Sequence, residues 1–386
     1  MERVLLVVAG NFPTIKAYGV TTSQTIKNIE SRGHKVACAA FRPIDEIPVH
    51  SNGAEMLYFE ERGVLPYFRK YAYAGFGRIA QIFWRLTCHF ALSNLPKFVT
   101  KFEPTIIWVR DSIPYPLLRM SRPNITFVIE LHGLVKKRTV AQISKLSQNR
   151  VILAPISPSI HRDLESYQLP FKIVFSPMGV DLAQFKNREE GHQEIGRPLK
   201  IGYFGKLAPS GYSKGYEDLL ELGAFHQTIN FPSIIQLVGA ADSEIEYLRQ
   251  YAKRLNLKSG QFEFESHKRH QETISLMHKC DILVLTTPAS KRYHGSPIKA
   301  IEYAATGKPI LAARSGVNED VFNGNVAPYW YTPGDITNMH EAVLQIMNDS
   351  NRELIAERMR DFAESRTWRV RTERILDQVV MNRKGL

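Results

Sequence analysis

The first forty residues alternate an apolar run with an amphipathic stretch. Arg3 to Ala9 is continuously apolar after its first residue, as is typical of a strand buried on both faces of a parallel sheet. A helical pattern runs from about Val20 to Arg32 and stops at Gly33, a good helix C-cap. Lys35 to Ala40 is a second apolar run, so the opening predicts a strand, a helix and another strand.

The same alternation continues to about Phe185. Further strands are predicted at Thr105–Val109, Thr126–Leu131, Val151–Ile156 and Lys172–Phe175. Helical patterns lie near Tyr115–Met120, Thr139–Gln148 and Ser159–Tyr167. Alternation of this kind predicts a doubly wound α/β domain, in which ligands bind at the carboxyl ends of the strands.

A polar stretch without hydrophobic periodicity, residues 186–198, is the best linker candidate. A second series of elements follows it. Its strands are predicted at Leu199–Phe204, Ser233–Val238, Gln261–Glu265, Ile282–Thr286 and Pro309–Ala313. Its helices are predicted at Tyr216–Gln227, Ser243–Leu255, Gln271–His278 and Pro297–Ala305. These elements predict a second doubly wound α/β domain.

The length of 386 residues agrees with two domains, because a single hydrophobic core rarely grows so large. The predicted domains are residues 1–185 and residues 199–365, two Rossmann-like domains that are expected to face a cleft between their strand ends. The chain after Asp335 has mainly helical patterns. We expect its last helix, within residues 366–386, to pack back on the first domain.

Composition and charge indicate the class of protein, its cellular location and the charge of its partners. The chain is 44% hydrophobic and 23% charged, and it has no apolar run long enough to span a bilayer. No signal peptide precedes the first strand, so we expect a cytoplasmic protein. The three cysteines lack a metal-binding spacing and are expected to be reduced. Fifty Lys and Arg against thirty-eight Asp and Glu leave a charge of +12, which favours an anionic partner without identifying it.

Residues 63–102 contain no acidic residue but many basic and aromatic ones. The basic residues are Arg69, Lys70, Arg78, Arg85, Lys97 and Lys101. The aromatic residues include Tyr67, Phe68, Tyr71, Tyr73, Phe76, Phe83, Trp84, Phe90 and Phe98. This mixture is typical of a helix that lies on an anionic bilayer, and the basic run at residues 136–138 supports that interpretation. The alternative is a core helix whose aromatic side chains pack inward.

Several catalytic motifs are missing from the chain. It has no GKS or GKT phosphate loop, no HExxH, no CxxC pair and no Asp-x-Asp metal motif. Residues 74–80, AGFGRIA, lack the third glycine of a dinucleotide fingerprint and follow no predicted strand. The chain therefore lends no support to a hydrolase or a dehydrogenase of these types.

A glycine-rich turn follows the first strand of the second domain. The stretch from Gly202 to Gly215, GYFGKLAPSGYSKG, carries Lys206 and Lys214. Two ammonium groups above a helix start would neutralise a diphosphate without a metal ion. The alternative is a surface loop whose lysines are solvated.

The stretch Tyr293–Ile310 predicts a loop, a helix and a buried strand. Gly295 lets the backbone come close to a ligand, Ser296 suits a helix N-cap, and Pro297 suits the first helical position. Such a helix start attracts phosphate, because its unpaired amides and the helix dipole both favour negative charge.

Lys299 and Glu302 lie three residues apart on one face of this helix. An ammonium and a carboxylate would therefore both overhang a ligand held by the loop, and they suit phosphate and hydroxyl groups. The alternative is a capped helix with a surface ion pair.

Four segments of the second domain together resemble a known family. They are Gly205-Lys206-Leu207, Lys214-Gly215, the stretch GSPIKAIEY at residues 295–303, and Gly307-Lys308-Pro309. In this order they resemble GT-B glycosyltransferases of the large retaining family 4, from Leu199 to about Met347. Smaller similarities are Ser176–Phe185, Ser157, Tyr18-Gly19, Glu130–Gly133, Asp281 and Trp368.

The resemblance implies that the second domain binds a nucleotide sugar and that an acceptor hydroxyl approaches from the first domain. Lys206 and Lys214 would hold the diphosphate and stabilise the negative charge that grows as the glycosidic bond breaks, which replaces a metal ion. Glu302 would bind the ribose hydroxyls. His132 would contact the donor sugar near the reacting carbon. No cofactor and no side-chain nucleophile are expected.

Other donor contacts are implied by the same resemblance. The backbone from Gly295 to Ile298, which includes Ser296 and Pro297, would face phosphate or donor sugar. Gly19, Gly205 and Lys299 complete the predicted donor site.

The chain departs from the family at one place. The usual pair of glutamates lies eight residues apart, and eight residues before Glu302 stands His294. This change puts the identity of the donor sugar in question, since the first glutamate contacts the sugar. His294 is either a donor contact or an ordinary loop residue.

Together these features predict a cytoplasmic, membrane-associated retaining glycosyltransferase that extends a lipid-linked or surface-polysaccharide precursor. One alternative is a glycosyltransferase with a soluble small-molecule acceptor. Another is a non-catalytic nucleotide-sugar binding protein that lost turnover with the first glutamate. A nucleic-acid binder is disfavoured, because the basic residues are dispersed and no nucleic-acid module is recognisable.

Overall fold

The computed structural model describes residues 1–14, 17–43, 53–60, 82, 92–110, 124–135, 137–144, 150–186, 196–207, 214–288, 297–322 and 326–384. By their internal contacts they form two compact units. Unit 1 is Met1–Met178 with Trp368–Leu386, and unit 2 is Gly179–Thr367. Predicted features at residues 63–91, at Tyr115–Met120 and at His294, Gly295 and Ser296 lie outside the described residues, apart from Ile82.

The strands number thirteen in the described part of the chain. They are β1 Arg3–Asn11, β2 Lys35–Phe41, β3 Glu55–Tyr58, β4 Ile106–Arg110, β5 Thr126–Leu131, β6 Val151–Pro155, β7 Lys172–Ile173, β8 Leu199–Phe204, β9 Ser233–Ala240, β10 Phe262–Ser266, β11 Ile282–Leu285, β12 Ile310–Ala313 and β13 Tyr329–Tyr331.

The helices of the same residues are α1 Ala17–Glu30, α2 Leu95–Phe102, α3 Lys137–Ile143, α4 Pro158–Ser166, α5 Glu217–Thr228, α6 Asp242–Arg254, α7 His270–Lys279, α8 Ile298–Thr306, α9 Gly316–Val321, α10 Ile336–Asn348, α11 Arg352–Glu364 and α12 Trp368–Lys384. Short 3-10 turns occur at Leu92–Asn94 and Leu182–Phe185. No helix among them combines the length and the apolar character needed to cross a bilayer.

Unit 1 contains a seven-stranded parallel sheet in the order β3-β2-β1-β4-β5-β6-β7. The order reverses direction between β1 and β4, which is the switch point where a doubly wound sheet opens a crevice. Residues Val4 to Val8 of β1 are all buried, as their continuous apolar run predicted. Sequence patterns missed β3, which is a short edge strand with one buried residue.

The last helix, α12, packs against the sheet of unit 1. Its residues Ile375, Leu376 and Val379 belong to the same buried cluster as Ile26 and Ile29 of α1. Burial of each such side chain contributes about 1.5–3 kcal/mol relative to an exposed position. The prediction that the C-terminal helix packs on the first domain is therefore confirmed.

Unit 2 contains a six-stranded parallel sheet in the order β10-β9-β8-β11-β12-β13. Its switch point lies between β8 and β11. Asp281 binds the two strands together at their start, because its carboxylate accepts hydrogen bonds from the Lys200 amide (2.7 Å) and from both terminal nitrogens of Arg197 (2.9 and 2.6 Å). The predicted class, two doubly wound α/β domains, is confirmed.

The start of α8 differs from its prediction by one residue. Pro297 is the N-cap, with an extended ψ of 115°, and Ile298 is the first helical residue. The prediction that Pro297 occupies the first helical position was wrong, because the proline ring restricts φ but leaves ψ open. The end is as expected, since Gly307 terminates the helix in the left-handed conformation (φ 69°).

Candidate functional site

The chain turns sharply where β8 ends. Gly205 has a φ of 134°, and its amide donates to the Val238 carbonyl (2.8 Å). That φ favours glycine at position 205. A Cβ atom on Gly239 would lie 2.8 Å from the Gly205 carbonyl oxygen, so the two strand ends approach this closely only because residue 239 is glycine. Lys206 follows directly, with an exposed side chain, at the switch point of the unit 2 sheet.

Lys214 lies at the same edge of the sheet. Its amide donates to the Leu207 carbonyl (2.9 Å), which closes the loop between them. The next residue, Gly215, has a φ of 78°, and a Cβ there would meet the Thr287 carbonyl carbon at 2.9 Å. The loop that carries both predicted lysines therefore ends against the residues that follow β11.

Helix α8 is anchored on the end of β8 by Tyr303. Its buried hydroxyl accepts a hydrogen bond from the Phe204 amide (2.8 Å) and donates to the Phe204 carbonyl (3.3 Å). Both backbone groups of the last strand residue are thus satisfied by one side chain, in a place where an unpaired buried group would be costly. The anchor brings the start of α8 to the glycine turn.

Lys299, one turn before Tyr303, points back into this junction. Its Nζ donates to the Tyr203 hydroxyl (2.6 Å) and lies 3.9 Å from the centre of the Tyr203 ring. The Tyr203 hydroxyl in turn donates to the carbonyl of Lys206 (3.0 Å). Lys299 therefore supports the backbone of the turn that presents Lys206, which the sequence patterns did not predict.

The electrostatics of this place favour an anion. The pKa of Lys299 is lowered to about 7, mainly by burial of the ammonium and next by the positive charge of the neighbouring Lys214; the charge of Glu302 opposes them with a smaller effect. The charges of Lys214 and Lys299 therefore repel each other, and Lys206 lies on the adjoining turn. A bound anion would relieve the repulsion between these groups.

Glu302 has a partner of its own. In the described part of the chain no ion pair joins it to Lys299; its Oε1 lies 2.8 Å from Nε2 of His270, at the start of α7. The simple surface ion pair between Lys299 and Glu302 is therefore not formed. Sequence reasoning missed His270, because no local spacing connects a residue of α7 with one of α8.

The predicted histidine of unit 1 follows β5. His132 Nε2 donates to Glu130 Oε1 (2.5 Å), and its Nδ1 accepts from Arg110 Nη2 (3.3 Å). Since an arginine donates only, the network assigns the imidazole as neutral with its proton on Nε2. Both ring nitrogens are thus held by the chain itself, next to the switch point between β1 and β4.

Glu130 is the centre of that network. Its Oε2 accepts from the Trp108 indole (2.9 Å), and its Oε1 lies 2.8 Å from Nη2 of Arg371, which α12 brings in. Burial alone would raise the pKa of Glu130, but the charge of Arg371, together with the hydrogen bond from His132 and the charge of Arg110, outweighs it and holds the pKa well below the usual range. The carboxylate is therefore ionised and orients His132.

Gly19 is buried in the first turn of α1. A Cβ atom there would lie 2.0 Å from the Thr14 carbonyl oxygen and 2.6 Å from its methyl group. Close packing of the loop after β1 therefore accounts for the glycine. Its contact with a donor stays a prediction.

The structure thus brings together Gly205, Lys206, Lys214, Lys299 and Glu302 at one end of the unit 2 sheet, beside Pro297 and Ile298. Gly19 and His132 belong to unit 1, and His294, Gly295 and Ser296 lie outside the described residues. Among the described residues, no group of three His, Cys, Asp or Glu side chains is placed to hold a metal ion.

Comparison with known proteins agrees with this geometry. Residues 198–349 match the family model of the glycosyl transferases group 1, from just before β8 to just after α10. No curated protein matches the chain in sequence.

Solved structures match the chain along its whole length. A glycosyltransferase from Rickettsia africae has a TM-score of 0.74 at 12% identity and covers 100% of this chain and 99% of that one. HepE of Anabaena, in complex with UDP and glucose, has a TM-score of 0.68 at 16% identity and covers 99% and 100%. A UDP-forming α,α-trehalose-phosphate synthase from Burkholderia vietnamiensis has a TM-score of 0.71 at 13% identity and covers 100% and 99%.

At these identities the structural likeness shows the fold, and it is the fold of the GT-B glycosyltransferases. The matched segment makes unit 2 a domain of the glycosyl transferases group 1. The chain therefore has the fold of the GT-B glycosyltransferases and carries a glycosyl transferases group 1 domain in unit 2, as its sequence predicted.

We expect Arg371→Met to destabilise unit 1 by about 3 kcal/mol, because it leaves the buried Glu130 without its main counter-charge. Arg369→Met is the matched control: it removes another arginine–glutamate pair of α12, with Glu373, whose side chains are 67% and 33% exposed. That exposed pair contributes no more than about 0.5 kcal/mol. Urea unfolding of both variants measures the difference in the free energy of unfolding. Equal losses would show that Arg371 is not the main counter-charge of Glu130.

Proposed function

We propose that the protein is a retaining glycosyltransferase that moves a sugar from a nucleoside diphosphate sugar to an acceptor hydroxyl without a metal ion. The observation that carries this proposal is the cluster of Lys206, Lys214 and Lys299 where β8 ends. Its charges lie at the switch point, close enough for Lys214 to lower the pKa of Lys299. A diphosphate is the anion that such a cluster suits.

In this proposal each group has a chemical role. Lys206 and Lys214 bind the diphosphate and stabilise the charge that develops on it, and Lys299 both supports the turn and adds charge. Glu302 accepts hydrogen bonds from the ribose hydroxyls. The Ile298 amide and the preceding loop are expected to bind the donor phosphate and sugar, and His294 is either a donor contact or an ordinary loop residue. His132, oriented by Glu130, contacts the donor sugar.

The reaction exchanges one bond of the anomeric carbon for another. The bond to the diphosphate oxygen breaks, and the acceptor oxygen bonds to the same face of the sugar. The departing phosphate oxygen takes the proton of the acceptor hydroxyl. The lysines hold the phosphate, so they favour both charge separation and proton transfer without a protein nucleophile.

A uridine nucleotide is the first donor to test, because HepE was solved with UDP and glucose and the Burkholderia synthase is described as UDP-forming. A thermal-shift screen of uridine, guanosine and adenosine diphosphates and their sugars identifies the base. The native state gains apparent stability from whichever ligand it binds.

For the acceptor, we favour a lipid-linked or surface-polysaccharide precursor and a peripheral position on the cytoplasmic face of the plasma membrane. The charge of +12 and the basic, aromatic composition of residues 63–102 support it. The alternative is a soluble sugar acceptor, which the likeness to the trehalose-phosphate synthase favours. A non-catalytic binding protein is the second alternative.

Lys214→Ala is expected to lower the turnover number by at least about 100-fold, because it removes a cation that stabilises the leaving diphosphate. Thermal unfolding should be almost unchanged. Lys253→Ala, an exposed lysine of α6, is the control and should keep full activity. Normal turnover by folded Lys214→Ala would refute the diphosphate role, and a wild type that binds the donor without any transfer would favour the binding protein.

Donor binding is expected to take up a proton above about pH 7. Lys299, with a pKa of about 7, is largely neutral there, and a bound diphosphate raises the pKa and favours the charged form. Below about pH 6 the ammonium already carries its proton and no uptake occurs. Calorimetry of a nucleotide sugar in two buffers of different ionisation heat counts the protons. Lys299→Met should abolish the uptake, and an unchanged count would contradict this role.

For the membrane, we expect the wild type to sediment with acidic liposomes at low salt but not with neutral ones. The test variant neutralises Arg69, Lys70, Arg78 and Arg85, and it should lose most of the binding. The matched control neutralises four exposed bases of unit 2, namely Arg249, Lys253, Lys258 and Lys279. If the wild type ignores acidic liposomes, or if both variants bind equally, residues 63–102 are not a membrane surface.

A further inference from the structure

Glu302 is held by His270 in a way that uses only one of its two carboxylate oxygens. His270 Nε2 lies 2.8 Å from Oε1. The Glu302 side chain is 17% exposed, whereas that of His270 is 48% exposed. The described part of the chain offers no hydrogen-bond donor to Oε2. That oxygen is therefore available to a ligand.

A second contact fixes the other side of the imidazole. Gln184, in the 3-10 turn Leu182–Phe185, places its amide oxygen 2.6 Å from Nδ1 of His270. The orientation of the Gln184 amide is fixed, because its nitrogen donates to Asp181 Oδ2 (3.3 Å) and a flipped amide would lose that hydrogen bond. Asp181 is held in turn by the Ala183 amide, which donates to Oδ1 (3.3 Å). The chain of bonds runs from Asp181 through Gln184 and His270 to Glu302.

This chain assigns the protons of His270. Nδ1 faces an amide oxygen and Nε2 faces a carboxylate, so both nitrogens must donate and the ring is an imidazolium. The hydrogen bond to Glu302 raises the pKa of His270 most; burial opposes it, and the charges of Glu302 and Asp181 add to the rise.

The remaining surroundings of the ring do not change this assignment. The ring of Phe185 meets it edge to face at 6.4 Å. The neighbouring Arg269, the N-cap of α7, is paired with Glu272 (2.8 Å). The groups that face the imidazole from the other elements are thus Gln184 of the 3-10 turn, Asp181 at its N-cap, and Glu302 of α8.

We propose that His270 is a positioning residue for donor recognition, which holds Oε1 of Glu302 so that Oε2 faces the ribose hydroxyls of the nucleotide. This inference rests on the proposed role of Glu302 as the ribose acceptor. A carboxylate with one oxygen bound to a fixed donor loses the freedom to rotate away, so less entropy is lost when the ribose binds. The specificity for ribose therefore depends on three elements: the 3-10 turn, α7 and α8.

The experiment compares a nucleoside diphosphate with its 2′,3′-dideoxy counterpart, using the base that the thermal-shift screen selects. The wild type should prefer the ribonucleotide by at least about tenfold in Kd, the value of a hydrogen bond to a charged group. His270→Ala should lose most of that preference while its affinity for the dideoxy nucleotide is unchanged. If His270 had only a structural role, His270→Ala would lower the affinity for both nucleotides equally.

Three further variants sharpen the result. His270→Gln keeps an N–H donor for Glu302 and should recover part of the preference. Gln184→Ala leaves that contact in place and should reduce the preference less than His270→Ala. His267→Ala, an exposed histidine three residues earlier, is the matched control and should behave as wild type.

The pH dependence provides a second readout. The wild-type preference should fall from about pH 6 to about pH 9, as the imidazolium loses its proton. Lys299 also titrates, but it acts on the diphosphate of both ligands and cancels in their ratio. In His270→Gln the preference should not change over this range.

The outcomes separate the two levels of the argument. If neither nucleotide binds the wild type, the proposed function fails. If both bind it equally well, the ribose role of Glu302 fails and this inference fails with it. If the wild type prefers ribose and His270→Ala keeps the full preference, His270 does not position Glu302 and only the inference is overturned.

Discussion

The candidate site depends on the anchor between α8 and the end of β8. The Tyr303 hydroxyl bonds to the amide and carbonyl of Phe204, the last residue of the strand. This junction brings a helix start to the strand end where the sheet of unit 2 changes direction, and so places Lys299 beside the turn that carries Lys206. Lys299 can reach Tyr203 only from a helix held in that position.

The junction also brings positive charges close together, and in the unliganded protein these charges repel each other. Lys299 lies beside Lys214 and has a pKa lowered to about 7, so part of its charge is absent at neutral pH. The unliganded protein thereby avoids some of the repulsion. Its tyrosine partner keeps the neutral amine hydrogen-bonded, and we propose that the proton returns when a diphosphate binds. This arrangement allows a basic site to remain stable both empty and occupied.

Both units place their candidate site residues at the switch point of a sheet, but the residues differ in kind. In both, the polar groups of interest follow strands next to the switch point of a parallel sheet. Unit 2 places cations there, of which Lys206 is exposed and Lys214 and Lys299 are partly buried. Unit 1 instead buries an ionised glutamate and uses it, with Arg110, to orient the neutral His132. Binding of a charged donor suits the first arrangement, and precise placement of a neutral group suits the second.

Much of the fold was predictable from the chain, because buried parallel strands such as β1 and β8 are continuous apolar runs and glycines mark their turns. The lysines of the glycine-rich turn at residues 202–215 and the helix with Glu302 were predictable for the same reason, since each belongs to one short segment. Short edge strands such as β3 were missed, because one buried residue leaves no pattern.

The sequence by itself determined the two doubly wound domains and the candidate cations. Only the tertiary structure decided which side chain faces which: Lys299 pairs with Tyr203, ninety-six residues away, and Glu302 pairs with His270, thirty-two residues away. Such contacts depend on where strands and helices meet in space, and no periodicity along the chain records that.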